Sequence, residues 1–329
     1  MNKTNISNLR ESVRTQNEAS TPVSDQASLD TFSLTRHTPL NTAFKGQSKS
    51  LGKRARSKWY TRKITGTLLF QDSPIHKYYQ RAFYCNHTLT QKAGKITSKY
   101  CNTRICNVCN RIRTAKLIDG YRSQLTGRGM QFVTLTAPNV SDVDLKNEVD
   151  RMQRIASNIL KVFRVRRKDP LNGVRKLEIT YNAVDNTYNP HFHMIVDAGE
   201  DVICEWLARN PDAKRVAQDC RPVDDAVLKE LFKYTTKIVS HSKKKFIVYV
   251  KALDVIMRAL KGRRCFQPFG DVRRVSEDVD DELEAVIEAE DYEIIEWEWH
   301  DAGDWVDTDT GELLTGHEPP EYDFEFRKR

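Results

Sequence analysis

The chain lacks the features that mark membrane and secreted proteins. No apolar run approaches the roughly 18 residues that a membrane-spanning helix requires. The N-terminus has no apolar stretch of the kind found in secretory signals. The cysteine count of seven is odd, which does not suit a framework of disulfides. We therefore expect a soluble, cytoplasmic protein with reduced thiols and no membrane partner.

Basic residues are nearly missing from the C-terminal part of the chain. Residues 277–329 contain 21 acidic and three basic side chains, which leaves 50 basic and 24 acidic ones for residues 1–276. The first 276 residues therefore carry a net charge of about +26, and the tail about −18. A body this basic predicts a partner that is a polyanion, the alternative being a solvated surface that is basic by chance.

Large apolar side chains are scarce in the first fifty residues, so we expect most of that segment to be disordered. The basic run at 53–63 follows, with Trp59 and Tyr60 interleaved. This run either contacts phosphates and stacks on bases, or forms an ordinary charged face in solvent.

Three cysteines are clustered with a spacing that suits a tetrahedral zinc site. Cys101, Cys106 and Cys109 can supply three thiolates, but the second CxxC pair of a double motif is missing. Cys85 is the natural fourth ligand, with His87 as its substitute. A redox CxxC is disfavoured because no βαβ pattern surrounds it. The remaining cysteines are expected to be free thiols in or near the core: Cys204, Cys220 and Cys265.

The hydrophobic pattern alternates between strand and helix periods. It predicts strands at 132–136, 174–181 and 188–198, the last two forming a hairpin about Asp185-Asn186. Helices are predicted at 111–125, 141–167, 201–209, 224–240 and 253–261. The fold class is therefore α+β, with a central antiparallel sheet flanked by helices, a preceding cysteine-rich segment and flexible tails.

Two histidines stand one residue apart in the third predicted strand. Side chains alternate along a strand, so His191 and His193 project from one face, about 7 Å apart along the backbone. Such a pair can hold a divalent cation and leave positions open for substrate oxygens, although most His-x-His sequences bind nothing. The hairpin would bring Glu178 opposite His193, which makes it the candidate third ligand.

A tyrosine, a carboxylate and an ammonium share one stripe of the predicted helix at 224–240. Glu230, Tyr234 and Lys237 lie at i, i+4 and i+7, away from the apolar arc. A nearby cation or metal favours the phenolate form of tyrosine and so makes it a nucleophile. The alternative is a surface tyrosine beside ordinary Glu–Lys helix pairs.

Residues 81–275 resemble the rolling-circle replication initiators of small plasmids, which belong to the HUH endonuclease superfamily. The tyrosine motif is most similar to the subgroup that has one tyrosine and a glutamate four residues before it. The resemblance rests on segments in this order: CNTRICNVCN (101–110), FVTLTAPN (132–139), KLEITYN (176–182), NPHFHMIV (189–196), ELFKYTTK (230–237) and ALKGRRCFQPFG (259–270).

The resemblance implies a role for each matched residue. His191 and His193 would hold Mg²⁺ or Mn²⁺, and Tyr234 would attack a phosphate of origin DNA. Glu230 would activate water, or assist the second cleavage, when replication terminates. The DNA would be single-stranded or a hairpin at the nick site, and a host helicase or polymerase in a prokaryotic cell would be a further partner. A mobilisation relaxase or a single-tyrosine transposase would share this site. A zinc-dependent DNA-binding regulator without catalysis is the alternative of another class.

The same motifs divide the chain into four parts. We expect a disordered polar N-terminus at 1–52, a basic and cysteine-rich zinc- and DNA-binding segment at 53–128, the nuclease domain at 129–275 and an acidic tail at 276–329. The apolar run at 292–299 of the tail would form either a strand or a disordered ligand. The tail would compete with DNA for the basic body, dock a host partner, or only keep the protein soluble.

Overall fold

The computed structural model describes residues 45–92, 95–232, 239–242, 245–279, 294–321 and 323–327. These residues form helices and strands that we number in chain order: α1 Lys45–Leu68, α2 His76–Phe83, β1 Thr88–Lys92, β2 Lys95–Ser98, α3 Asn107–Leu125, β3 Gln131–Thr136, α4 Leu145–Val162, β4 Gly173–Asn182, β5 Thr187–Val196, α5 Gly199–Arg209, β6 Asp219–Pro222, α6 Asp225–Phe232, β7 Val239–Ser242, β8 Lys245–Tyr249, α7 Val250–Leu260, β9 Phe266–Phe269, β10 Ile295–His300, β11 Asp304–Asp307 and β12 Asp323–Arg327.

The largest sheet has five antiparallel strands in the order β6-β3-β5-β4-β9. Apolar side chains that alternate along β5 cover one face, where Phe192 meets Trp206 of α5 with ring centroids 6.2 Å apart. Arg175 reaches from the same face to Ser157 of α4. Helices α4 and α5 therefore cover one side of the sheet, which confirms the predicted α+β class with antiparallel strands and flanking helices.

Helices α3 and α6 cover the other side of this sheet. Phe232 at the end of α6 stacks on Tyr121 of α3 at 5.1 Å and also contacts Phe266 of β9 at 5.5 Å. Phe266 pairs with Lys176 on β4, and therefore lies on the same face as the side chains of Lys176 and His193. The face that carries the histidines is thus the one beneath α6.

The described part of the C-terminal segment, residues 294–321 and 323–327, is folded, contrary to the expectation of a flexible tail. Strands β10 and β11 extend the β1–β2 hairpin into a four-stranded sheet of order β11-β10-β1-β2. Strand β12 pairs in parallel with β8, beside β7. The acidic residues of β10 alternate with buried Trp297 and Trp299, so the strand has a half-apolar pattern that can be buried despite its charge.

Two further expectations need correction. The basic run at 53–63 lies within α1, where Lys58 and Trp59 are buried, so Trp59 is not available to stack on bases. The helix predicted at 224–240 is described only to Phe232, and Val239 begins a strand. Among the described residues, no helix has both the length and the apolar character needed to cross a membrane.

Candidate functional site

Strands β4 and β5 bring Glu178 and the two histidines together on the face beneath α6. Glu178 pairs with His191, and Lys176 pairs with His193. Glu178 was expected opposite His193, but the hairpin turn comprises residues 183–186, so that Asn182 pairs with Thr187. This moves the register by two residues, and a shift of two keeps every side chain on the same face.

The candidate ligand atoms of Glu178, His191 and His193 lie within 4.8 Å of one another. All three side chains are buried, with 5–7% of each residue exposed. The Glu178 Oε2 atom is 3.6 Å from His193 Nε2. Two imidazole nitrogens and a carboxylate oxygen at this separation form a donor set that fits one divalent ion and leaves further positions for oxygen ligands.

Hydrogen bonds fix the orientation of both imidazole rings. The Nδ1 atom of His191 is 3.0 Å from the carbonyl oxygen of Asn189, and that of His193 is 3.1 Å from Thr134 Oγ1. A carbonyl can only accept, so the proton of neutral His191 resides on Nδ1 and its Nε2 keeps a lone pair. This is how metal-binding histidines are usually oriented by their neighbours.

A series of contacts links Glu230 of α6 to this site. Its carboxylate accepts a hydrogen bond of 2.7 Å from Arg221 Nη2 on β6. The Arg221 guanidinium lies 4.8 Å from the centroid of the Phe132 ring, and Phe132 stacks on His193 at 5.3 Å. Glu230 therefore stands on the histidine side of the sheet. Tyr234 and Lys237 lie outside the described residues.

The four expected cysteines converge on one buried cluster. The sulfur atoms of Cys85, Cys101, Cys106 and Cys109 lie within 4.8 Å of one another, and the Cys85–Cys109 and Cys101–Cys109 pairs are 3.7 Å apart. Zinc–sulfur bonds of about 2.3 Å in a tetrahedron place sulfurs roughly 3.8 Å apart, whereas a disulfide would need about 2.05 Å. The cluster fits zinc with four thiolates. His87, the alternative fourth ligand, does not belong to this group, and its Nε2 atom instead lies 3.0 Å from Glu298 Oε1.

Charged and polar groups surround the cysteine cluster. The Lys58 ammonium is buried and donates hydrogen bonds to the carbonyl oxygens of Phe83 and Cys85. Burial lowers the pKa of Lys58 to about 7, while the neighbouring Cys85 opposes this effect. Hydrogen bonds from neighbouring thiols, with Cys106 first, hold the pKa of Cys101 well below its usual value.

The other three thiols are free, as expected, but differ in burial. Cys265 is buried and Cys220 half-buried, whereas Cys204 is exposed on α5. The expectation of a place in or near the core is therefore wrong for Cys204, because the buried face of α5 is formed by Val202, Ile203 and Trp206.

Comparisons of the sequence with known proteins match it to one family. A family model described as "Replication protein" matches residues 94–199. A protein named "Protein rep" from Staphylococcus aureus is 31% identical over 180 residues, which cover 47% of this chain and 77% of that relative. This chain belongs to the replication protein family of rolling-circle plasmids.

Other members of the replication protein family match a shorter part. The "Protein rep" of Lentilactobacillus hilgardii is 34% identical over 105 residues, and that of a Bacillus species 29% identical over 126 residues. The matches cover 30% and 35% of this chain, and 32% and 40% of these relatives. No solved structure matches the chain significantly.

Sequence reasoning missed three side chains that contact the candidate site of this family member. Thr134 and Phe132 reach His193 from β3, and Lys176 reaches Glu178 along β4. Lys176 could have been found from the sequence, because strand alternation places it on the same face as Glu178, two residues away. Thr134 and Phe132 come from a different strand, and only the β3–β5 register identifies them.

Proposed function

We propose that this initiator nicks one strand of its plasmid origin at a site of the HUH endonuclease type and remains joined to the DNA through Tyr234. The observation that carries the proposal is the buried group of Glu178, His191 and His193 beneath α6. The helix is followed directly in the chain by the segment that contains Tyr234 and Lys237.

Glu178, His191 and His193 would hold Mg²⁺ or Mn²⁺, since both ions accept imidazole and carboxylate ligands. The bound ion would supply Lewis acidity, which stabilises charge on a phosphate oxygen. Thr134 and the Asn189 carbonyl keep the imidazole rings oriented for this task. The chain itself would therefore provide a site whose geometry is set before DNA arrives.

Tyr234 would act as the nucleophile. Its phenolate oxygen would form a bond to the scissile phosphorus while the bond from phosphorus to the 3′ oxygen breaks. The departing 3′ oxygen takes up a proton from water, so the products are a 5′-phosphotyrosyl link and a free 3′-OH that can prime synthesis. Lys237 would favour the phenolate, and Glu230 would activate water or assist the second cleavage when replication ends.

The test is covalent adduct formation on a labelled origin oligonucleotide, resolved on a denaturing gel with Mn²⁺ present. We expect a slower-migrating adduct with the wild-type chain and none with Tyr234→Phe. Tyr84→Phe is the matched control, because Tyr84 is 54% exposed on the surface. An adduct that persists in Tyr234→Phe would remove Tyr234 as the nucleophile.

The same gel separates this proposal from a regulator that only binds DNA. The regulator would bind the origin after chelation of Mg²⁺ and would never form an adduct. The cysteine cluster supports a structural zinc in either case, because its four buried sulfurs lie apart from Glu178, His191 and His193 in the sequence and form a separate group. A relaxase or transposase would form the adduct but would not prime replication from the 3′-OH. A host helicase or polymerase is proposed as a partner on the family resemblance alone.

A further inference from the structure

Lys176 is a buried cation beside the candidate metal ligands. Only 5% of the residue is exposed, and its ammonium donates a hydrogen bond of 2.9 Å to Glu178 Oε2. That same oxygen lies 3.6 Å from His193 Nε2. The lysine therefore binds the carboxylate oxygen that faces the histidines.

The position of Lys176 follows from the sheet. Its backbone pairs with His193 on one side and with Phe266 on the other. Directly paired residues project from the same face, so the lysine side chain lies within the site beneath α6. A charge in such a place has lost its hydration, and it is retained only where partners of opposite charge compensate it.

The two charged side chains of this ion pair neutralise each other before any ion binds. Glu178 contributes one negative charge and Lys176 one positive charge. A divalent ion would leave two positive charges in a buried site, which is unfavourable without an anion nearby. A DNA phosphodiester and a tyrosine phenolate each carry one negative charge, and together they would restore neutrality.

We propose that Lys176 is a phosphate-binding residue of this site, held by Glu178 until metal and DNA bind. Glu178 would exchange its ammonium partner for the ion, and the ammonium would bond an oxygen of the scissile phosphate. Lysine suits this exchange, because its ammonium is a compact charge on a flexible stem. The inference rests on the proposed nicking function and deepens it: Lys176 makes metal binding depend on the presence of phosphate.

The first test is a Mn²⁺ titration of the full chain, followed by electron paramagnetic resonance in the absence of DNA. Lys176→Met removes the competing cation, so we expect Mn²⁺ to bind at least tenfold more tightly than to wild type. Lys176→Arg keeps the charge and should bind like wild type. Lys161→Met, an exposed lysine on α4, is the matched control and should change nothing. Thermal unfolding by circular dichroism verifies that each variant is folded.

The second test uses inorganic phosphate as the probe, with its ³¹P relaxation measured on the protein loaded with Mn²⁺. Phosphate should bind at least fivefold more weakly to Lys176→Met, and Lys176→Arg should restore most of the loss. If Lys176 only supported the fold, Lys176→Met would bind both Mn²⁺ and phosphate more weakly. Tighter Mn²⁺ binding combined with weaker phosphate binding is the signature of the proposed role.

The outcomes separate this inference from the function on which it rests. If His193→Ala binds Mn²⁺ as well as wild type does, the metal site is wrong, and the proposed function fails together with the role of Lys176. If His193→Ala abolishes binding but Lys176→Met binds Mn²⁺ no more tightly than wild type, only the role of Lys176 is overturned. Unchanged phosphate affinity in Lys176→Met would also overturn it.

Discussion

At the scale of single residues, the candidate site depends on the groups that orient its two histidines as much as on the candidate ligands themselves. His193 is held on one side by the Thr134 hydroxyl and on the other by the ring of Phe132. His191 is held by a carbonyl two residues earlier in its own strand. Because these contacts restrict both rings, an ion would meet ligands that are already oriented.

Thr134→Val should weaken Mn²⁺ binding by roughly 10- to 100-fold, the usual effect of removing a partner of a metal-binding histidine. The valine keeps the shape of the side chain but cannot hydrogen-bond to Nδ1 of His193. Thr134→Ser, which keeps the hydroxyl, is the matched control and should stay near wild type. Paramagnetic resonance of free Mn²⁺ gives both affinities, and equal values for Val and Ser would contradict the role of this hydrogen bond.

At the scale of elements, the C-terminal hairpin of β10 and β11 is built around tryptophans. Trp299 and Trp305 meet edge to face with ring centroids 4.8 Å apart, and both are buried. The Trp305 indole donates a hydrogen bond of 2.9 Å to the carbonyl oxygen of Asn86, next to Cys85 of the cysteine cluster. The hairpin therefore stabilises the loop that presents this cysteine.

Trp305→Ala should lower the free energy of unfolding by about 3–5 kcal/mol, the usual cost of deleting a buried aromatic side chain. It removes the ring contact with Trp299 and leaves the Asn86 carbonyl without its indole donor. Phe70→Ala is the control, because Phe70 is 72% exposed and should change stability by at most about 0.5 kcal/mol. Denaturant unfolding measures both, and equal effects would show that the hairpin packs loosely.

The cysteine element makes a separate prediction about zinc content. We expect zinc to co-purify with the wild-type chain and to be lost from Cys101→Ser, because one of four candidate thiolate ligands becomes a hydroxyl. Cys204→Ser should retain it, since Cys204 is exposed and distant from the cluster in the sequence. Elemental analysis of purified protein gives the ratio of zinc to chain. Zinc retained at wild-type level in Cys101→Ser would argue against the four-cysteine site.

At the scale of the whole molecule, the two ends of the described chain pack against each other. Trp59 of α1 and Phe324 of β12 meet with ring centroids 5.2 Å apart, and Arg62 pairs with Asp301 at 2.8 Å. Glu277 also contacts α3, because the Arg113 side chain of that helix donates a hydrogen bond to the Glu277 carbonyl oxygen. Deleting residues 277–329 would therefore remove core contacts along with charge, and would not test how the acidic residues affect DNA binding.

Neutralising only residues 280–293 gives a cleaner test of competition with DNA. This stretch contains eight acidic side chains, which we would change to their amides while every strand that the structure describes keeps its sequence. If these carboxylates compete with DNA for the basic body, the variant should bind DNA more tightly at low salt, and the difference should shrink at high salt. Fluorescence anisotropy at two salt concentrations measures this, and equal affinities at low salt would exclude competition.

Short-range patterns of apolar, polar and turn residues were sufficient to predict much of the fold. Strands β3, β4 and β5 were expected within one or two residues of their observed bounds, because their alternation is regular and turn residues end them. The fold of the C-terminal segment was left open, because the alternation at 292–299 is imperfect and indicated either a strand or a disordered ligand. Its many carboxylates hide a half-apolar strand, and its partners in β1 and β8 lie far away in the sequence.

The sequence alone determined the candidate ligand types: two histidines on one strand face, a carboxylate on the adjoining strand, and three cysteines with zinc spacing, for which Cys85 was the expected fourth. These depend on strand alternation and on spacing along the chain, which are local. Only the tertiary structure decided that Glu178 faces His191, that Lys176 holds Glu178, and that the acidic end folds onto the cysteine segment. Register, buried ion pairs and strand partners depend on contacts between distant residues, which no local pattern specifies.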